Sequence, residues 1–221
     1  MLYILLLISV IFSIAAQQLV KSSFKKYSKV FCSRGLTGAD AARTILDKYG
    51  LYNIGVERID GELTDHYDPT AYVIRLSDSV YGSTSVAAVG VAAHEAGHAV
   101  QHGVGYAPIK IRSAIIPITQ IGAQLTMPIV ALGLIFSWGV LIDIGIILFC
   151  AGVLFQAVTL PVEFNASGRA PSILEENHIL DGGELTGAKK VLTAAALTYV
   201  AALAVELLSL FRLIAIRNRR N

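Results

Sequence analysis

The sequence predicts a mainly α-helical membrane protein with a small α/β region, and two observations lead to this fold class. Of its 221 residues, 54% are hydrophobic and only 15% are charged, whereas a typical soluble domain has about 25% charged residues. The hydrophobic residues are also gathered into four stretches, each close to the roughly 20 residues that a helix needs to cross a bilayer. We therefore expect about four membrane helices in a lipid bilayer.

These stretches and the segments between them divide the chain into five predicted regions. The regions are an N-terminal membrane anchor helix (1–20), a soluble α/β region (21–112), a transmembrane helical hairpin (113–160), a segment with a candidate metal ligand followed by a loop (161–190), and a fourth membrane helix with a basic tail (191–221). The first stretch could instead be a secretory signal peptide. No Lys or Arg precedes its apolar core, however, and five basic residues follow it. This charge order favours an uncleaved anchor whose C-terminal flank is cytoplasmic.

The predicted hairpin determines which segments share a membrane face. Its two helices are separated only by a tight turn near Ser137–Gly139, so residues near 110 and residues near 162 should lie on the same side. Several basic residues flank the membrane helices on that side, and the positive-inside rule makes it cytoplasmic. They are Lys110, Arg112, Arg169, Lys189 and Lys190.

The soluble region reads as a mixture of short helices and strands. A helix should end near Gly50, and strands are predicted at Asn53–Ile59 and Ala71–Ser77, where the residues alternate in character. Leu63–Pro69 between these strands reads as a polar loop. A helix rich in Ala and Val is expected from Ser83 to His102.

This last helix contains the pattern H-E-x-x-H at residues 94–98. Positions i and i+4 of a helix point the same way, so the imidazoles of His94 and His98 can reach one metal ion. Zinc accepts imidazole nitrogen and, in catalytic sites, keeps one position open for water. Glu95 would stand beside that water as general base. The pattern therefore predicts one catalytic Zn²⁺ per chain.

A catalytic zinc site needs a third protein ligand, and the sequence offers two candidates. His102 is one further i+4 step along the same helix, but three ligands from one helix would crowd the ion. Glu163 directly follows the third apolar stretch, where a carboxylate needs a cationic partner. We expect Glu163 to be the ligand; the alternative is a solvated glutamate at the membrane interface.

Together these segments resemble a known family. H-E-A-G-H at 94–98, followed by a membrane hairpin and by L-P-V-E-F-N-A-S-G-R-A at 160–170, looks like the YugP-like neutral zinc metallopeptidases of bacteria. The sequence is similar, more distantly, to HtpX-type membrane proteases, in which the glutamate of an E-F-x-A-D segment is the third zinc ligand. That glutamate matches Glu163, whereas the aspartate is replaced by Ser167. The resemblance implies a zincin-like domain, of the gluzincin type, in a bacterial cell membrane.

Further residues are candidates for assisting the reaction. Ser167 could support a metal-binding histidine, and four residues can donate a hydrogen bond to an oxyanion: His66, Tyr67, His178 and Arg169. In zinc peptidases of this plan a strand before the metal helix binds the substrate backbone. Tyr72, Val73, Ile74, Arg75 and Leu76 could form that edge strand, or an ordinary strand of the sheet.

The sequence thus predicts a membrane-embedded zinc endopeptidase whose active site faces the cytoplasm. Its substrates would be peptides or membrane proteins near the bilayer. The alternative is a non-catalytic zinc-containing membrane scaffold or chaperone. A structural zinc normally has four protein ligands, whereas this chain offers three ligands and a base. A net charge of +2 without a basic run rich in aromatic residues argues against a nucleic-acid partner, and the oligomeric state is left open.

Overall fold

The computed structural model describes the backbone of residues 2–218 and the side chains of residues 4–218. It confirms a mainly α-helical chain with a small α/β region. In chain order the elements are α1 (Leu2–Tyr27), α2 (Gly38–Lys48), β1 (Gly55–Ile59), β2 (His66–Asp68), β3 (Val73–Ser77), α3 (Asp78–Tyr81), α4 (Val86–Gly103), α5 (Ala107–Ile135), α6 (Gly139–Glu176) and α7 (Gly182–Asn218). Arg219 and Arg220 of the predicted basic tail lie outside these residues.

Helices α1, α5, α6 and α7 are long and apolar enough to cross a membrane, as the four hydrophobic stretches predict. Few side chains in their most apolar windows are buried inside the protein. Large hydrophobic side chains such as Ile118, Ile147 and Leu154 are instead well exposed. Such exposure would be unfavourable in water and is expected of surfaces that face lipid.

Two of these helices extend beyond the predicted regions. The segment 161–176, assigned to a ligand-bearing connection, continues α6 as regular helix to Glu176, and α7 begins at Gly182 rather than near residue 191. Hydrophobicity alone marks only the part of a helix that meets lipid. Residues 162–176 instead bury one face in protein, through residues at helical spacing: Val162, Glu163, Ala166, Ala170, Ile173 and Leu174.

The chain divides into two compact units, and the first consists of residues 1–16, 108–161 and 198–221. Within it, α5 and α6 form the predicted hairpin around Ser137, which has a positive φ of 56°. The two helices approach closely at Gly133, where a Cβ would lie 2.8 Å from Ile142 Cγ1. Near the turn, the guanidinium of Arg217 donates hydrogen bonds of 2.7 and 3.0 Å to the carboxylate of Asp143. The end of α7 therefore lies beside the start of α6.

The second unit consists of residues 17–107 and 162–197 and contains a three-stranded sheet in the order β1-β3-β2. β1 pairs with β3 in parallel and β2 pairs with β3 antiparallel. Strand β2 lies in the segment predicted as a polar loop. That prediction is wrong for His66–Asp68 because three residues are too short to show an alternating pattern.

The sheet order also corrects the assignment of the edge strand. Residues Val73–Leu76 lie in β3, which is paired on both sides, and Tyr72 precedes it with a positive φ of 53°. The prediction that residues 72–76 form an exposed edge for substrate is therefore wrong. Four of the five β3 residues are buried, as expected of a central strand; the edges are β1 and β2.

Helix α4 lies at the centre of the second unit. Its N-terminus is capped by the hydroxyl of Ser85, which accepts a hydrogen bond from the Ala88 amide. Alanine and glycine on its surface allow close packing: a Cβ at Gly90 would lie 3.2 Å from Ala188 Cβ, and one at Gly97 would lie 3.5 Å from the Ala166 carbonyl oxygen. This packing brings residues 94–101 of α4 against residues 162–169 of α6.

Candidate metal centre

Helix α4 presents His94 and His98 from successive turns, as their spacing predicts. Their ring centroids are 4.7 Å apart and the ring planes are inclined by 81°. Both side chains are buried. Two neutral histidines are rarely buried this close without a common partner, because each ring nitrogen requires a hydrogen bond or a metal ion.

Helix α6 supplies that partner in Glu163, which is only 1% exposed. Its Oε2 lies 3.3 Å from Nε2 of His94 and 3.5 Å from Nε2 of His98. A carboxylate this deeply buried is costly unless a positive charge compensates it. The structure therefore brings the three predicted ligands together, and their ligand atoms all lie within 4.8 Å of one another.

The distances between these atoms fit a zinc ion. Protein ligands bind zinc at about 2.0–2.2 Å in tetrahedral directions, which places neighbouring ligand atoms roughly 3.3–3.6 Å apart. The two Nε2–Oε2 distances, 3.3 and 3.5 Å, lie in this range. Two imidazoles and one carboxylate leave one tetrahedral position free, which is the arrangement of catalytic rather than structural zinc sites.

The opposite nitrogen of each imidazole has a partner of its own. Nδ1 of His94 lies 3.3 Å from Oγ of Ser167, and Nδ1 of His98 lies 3.0 Å from Oε1 of Gln101. If each Nδ1 carries the proton and donates it to these oxygens, each Nε2 keeps a free lone pair toward Glu163. This is the tautomer that binding a metal through Nε2 requires.

The orientation of the Gln101 amide is determined by its other contacts. Its Nε2 donates to the carbonyl oxygen of Val162 at 2.8 Å and to Oδ1 of Asn165 at 3.0 Å. A main-chain carbonyl can only accept, so the amide nitrogen must face Val162 and the amide oxygen must face His98. Asn165 Oδ1 also accepts from Nε of Arg169 at 2.8 Å. These groups form a hydrogen-bonded chain that ends at His98.

Sequence reasoning missed Gln101 and Asn165. The signal for Gln101 was its position three residues after His98, because residues at i and i+3 are neighbours on a helix surface. Gln101 is 0% exposed, which is unusual for an amide and reflects its three hydrogen-bond partners. The contact between Asn165 and Gln101 could not be found this way because the two residues lie on different helices.

The carboxylates around His98 alter its pKa. Burial lowers the pKa of this imidazole, but the hydrogen bond to Glu163 and the charges of Glu95 and Glu163 outweigh burial and raise the pKa above its ordinary value. The site thus favours a positive charge between the rings and the carboxylate, whether a proton or a metal ion. Glu95 itself is buried and is close enough for its charge to act on His98.

The other candidate residues differ in how they are connected to the three metal-binding residues. Ser167 contacts a predicted ligand directly, and Arg169 is linked to the site through Asn165. Tyr67 packs its ring edge-on against His102, with 5.5 Å between ring centroids. His102, the alternative third ligand, is not part of the three-residue metal-binding group.

Two other oxyanion candidates form no hydrogen bond or ion pair with the three metal-binding residues in the described part of the chain. His66 has its Nδ1 2.8 Å from the carbonyl oxygen of Thr64 in an exposed hydrogen bond. His178 is exposed and follows the end of α6 at Glu176. Thirteen residues of helix separate Glu163 from Glu176, a distance of about 20 Å at 1.5 Å per residue. The prediction of His178 as an oxyanion donor is therefore wrong, because hydrophobic pattern alone could not show that α6 continues so far.

These features define a class of protein: a helical protein with membrane-spanning candidates and a possible metal site formed by two histidines of one helix and a glutamate of a second helix. The chain belongs to the family described as "Putative neutral zinc metallopeptidase", whose model matches residues 2–218. It is 48% identical over 217 residues to the "Putative membrane protease YugP" of Bacillus subtilis (strain 168), covering 98% of this chain and 96% of that protein. No solved structure shows a significant match.

Proposed function

We propose that this protein is a membrane-embedded endopeptidase that requires one zinc ion, with His94, His98 and Glu163 as the ligands. The observation that carries the proposal is the convergence of both Nε2 atoms on one buried carboxylate oxygen, at 3.3 and 3.5 Å. The Nδ1 contacts to Ser167 and Gln101 support the same assignment. When bound, zinc would supply Lewis-acid activation of water and of the scissile carbonyl group.

Glu95 carries the proton transfers in this proposal. It adjoins His94 on α4, and its buried carboxylate would take a proton from the attacking water. The same group would then deliver that proton to the nitrogen of the leaving amine as the peptide C–N bond breaks, while the oxygen and the other hydrogen of the water remain on the new carboxyl group. A residue with these two roles is essential for turnover but not for holding the metal.

The sheet offers an edge at which a substrate could bind. β2 is an edge strand of the sheet and contacts α4 through the Tyr67–His102 ring pair, one turn beyond His98. We propose that an extended substrate segment pairs with β2, since edge strands present unpaired amide and carbonyl groups. Peptides N-methylated at single positions would test this, because a pairing strand uses alternate amides. A KM that rises at every second position supports pairing; the same KM at all positions contradicts it.

The proposed location of the site is the cytoplasmic face of a bacterial membrane, on the basis of the basic residues after the first apolar stretch. A reporter cysteine at Tyr52, which is 74% exposed, would test this in intact cells. We expect labelling by a membrane-permeant maleimide and none by an impermeant one. Equal labelling by both reagents would place the second unit outside the cell.

Zinc content and proteolysis, measured together in matched detergent, test the enzyme proposal. Wild type should hold about one zinc per chain and cleave an unstructured polypeptide. Glu95→Gln should hold zinc equally well but lose about 10²- to 10⁴-fold in turnover, the usual contribution of a general base. If wild type and Glu95→Gln both hold zinc and neither cleaves, the non-catalytic scaffold replaces the enzyme.

The third ligand is tested separately with Glu163→Ala. Loss of a ligand from a three-ligand site should abolish stoichiometric zinc at micromolar metal. Glu175→Ala, an exposed glutamate on the same helix, is the matched control and should retain zinc. Full zinc retention by Glu163→Ala would exclude it as a ligand.

A further inference from the structure

A cavity of about 520 Å³ lies in the second unit, apart from the three metal-binding residues. It is formed by the C-terminal end of α1, the turn that follows α1, the loop after β1 and the start of α3. The lining residues are Lys21, Phe24, Lys25, Ser28, Lys29, Glu62, Leu63 and Ser79. None of them is used by the proposed peptidase reaction.

The charge of this cavity indicates an anionic ligand. Three lysines line it against a single acidic residue, Glu62. Among residues 4–218, none of the three lysines forms an ion pair within 4.0 Å, although other basic residues such as Arg43 and Arg75 do. Ammonium groups gathered around one space repel each other, and an anion between them removes that repulsion.

The position of the cavity indicates where the anion comes from. Lys21 directly follows the apolar stretch of α1, and Lys25 lies one turn further along the same helix. These lysines therefore stand where α1 leaves the hydrocarbon, at the depth of the lipid headgroups. Lysines at this depth attract anionic lipids electrostatically, because the charged headgroups lie within a Debye length of them.

The rest of the wall consists of two serines and two apolar residues, and one of the apolar residues, Leu63, has a strained backbone. Leu63 has a positive φ of 56° and a side chain that is 47% exposed. A left-handed backbone is unfavourable for a bulky residue because its Cβ approaches the following carbonyl oxygen, so neighbouring contacts must hold Leu63 in this conformation. With Phe24, it offers the apolar contact that the glycerol backbone of a lipid would need.

We propose that this cavity binds the phosphate group of one anionic phospholipid headgroup, taken from the leaflet that α1 enters at Lys21. The lysines contact the phosphate, while Phe24 and Leu63 contact the glycerol. The carboxylate of Glu62 opposes a second phosphate, which selects a lipid with a single phosphate group. The bound lipid fixes the second unit at the membrane surface.

The test uses the full chain in mild detergent with short-chain phosphatidylglycerol or phosphatidylcholine, and bound lipid is counted by native mass spectrometry. Wild type should bind phosphatidylglycerol at least tenfold more tightly than phosphatidylcholine. Lys21→Gln/Lys25→Gln/Lys29→Gln should lose this preference, and the corresponding triple arginine variant should retain it. Retention by the arginine variant shows that loss in the glutamine variant comes from charge rather than from misfolding.

A second triple variant, Lys48→Gln/Lys189→Gln/Lys190→Gln, replaces exposed lysines outside the cavity. It has the same net charge as the glutamine variant of the cavity but leaves the cavity residues unchanged. It should bind phosphatidylglycerol within twofold of wild type. An equal loss in both glutamine variants would mean general electrostatic attraction and would overturn the proposal, as would a glutamine cavity variant that binds like wild type. Inorganic phosphate distinguishes the source: if it binds as tightly as the lipid, the site takes soluble phosphate and the lipid assignment fails.

Discussion

Replacing Gln101 should weaken zinc binding although this residue does not touch the metal. Its amide oxygen accepts from Nδ1 of His98 at 3.0 Å, and its amide nitrogen donates to Val162 and Asn165. Methionine has nearly the same length and can replace neither contact. Gln101→Met would therefore free the ring of His98 to rotate and would leave its Nδ1–H without an acceptor in a buried site.

The expected magnitude follows from the contact that is lost. Removing the hydrogen-bond partner of a metal-binding histidine typically weakens metal binding by 10- to 100-fold, which corresponds to about 1.4–2.7 kcal/mol. Gln101→Glu keeps the acceptor of the side chain but removes its donor. Its carboxylate still accepts from His98 but cannot donate to Val162 or Asn165. We expect Gln101→Glu to bind zinc within about threefold of wild type, because a carboxylate acceptor makes His98 a stronger ligand while the loss of the two donated hydrogen bonds makes its ring less well oriented.

The assay is competition for zinc against a chromophoric chelator, on protein purified in detergent. Both variants lose buried hydrogen bonds and should have a lower melting temperature than wild type, by an amount that corresponds to about 2–4 kcal/mol. A variant destabilised elsewhere in the second unit, Gly38→Ala, controls for stability alone. If Gln101→Met binds zinc like wild type, or if Gly38→Ala loses zinc equally, Gln101 does not orient His98.

Two predictions concern the fold itself. Gly38→Ala should lower the melting temperature by an amount that corresponds to about 1–3 kcal/mol, because its Cβ would clash with the carbonyl oxygen of Val80; an unchanged melting temperature would contradict this packing. Asp68 has a pKa below its ordinary value, first because Arg75 donates to it and then because the Ala71 and Thr70 amides do. Because the pKa of Asp68 is lower in the folded state, these contacts stabilise the fold fully at pH values above the unfolded pKa of about 4. The stabilisation decreases as the pH falls below this value and through the folded pKa. The difference in melting temperature between metal-free wild type and Asp68→Asn should therefore be larger at pH 7 than at pH 3, and a constant difference would refute this.

The sequence was most informative where a feature depends on neighbours along the chain. The i, i+4 spacing of His94 and His98 determines their common direction on any helix, and apolar stretches of bilayer length identify membrane helices without knowledge of their packing. Glu163 could be anticipated for a similar reason, since a carboxylate at the end of an apolar stretch needs a partner. The structure places all three together.

Features that depend on distant partners were not predictable in the same way. The extension of α6 to Glu176 follows from burial of one helical face within the second unit, where hydrophobicity is no longer continuous. The central position of β3 depends on β2, a strand of three residues that no periodic pattern could reveal. Asn165 acquires its role only because α4 and α6 pack closely, which the small residues Gly97 and Ala166 permit.

Ser167 leads to a prediction about how the surroundings of the two histidines would affect a bound zinc ion. In the E-F-x-A-D pattern the corresponding residue is an aspartate, but here the partner of His94 Nδ1 is a hydroxyl 3.3 Å away. The partner of His98 is also neutral, the Gln101 amide. A carboxylate partner makes a ligating imidazole more basic, so two neutral partners should give weaker zinc binding and a more strongly polarising ion. Ser167→Asp should accordingly tighten zinc binding about 10-fold in the chelator assay, and Ser167→Ala should weaken it. Equal zinc affinity in wild type and both variants would show that this contact does not tune the site.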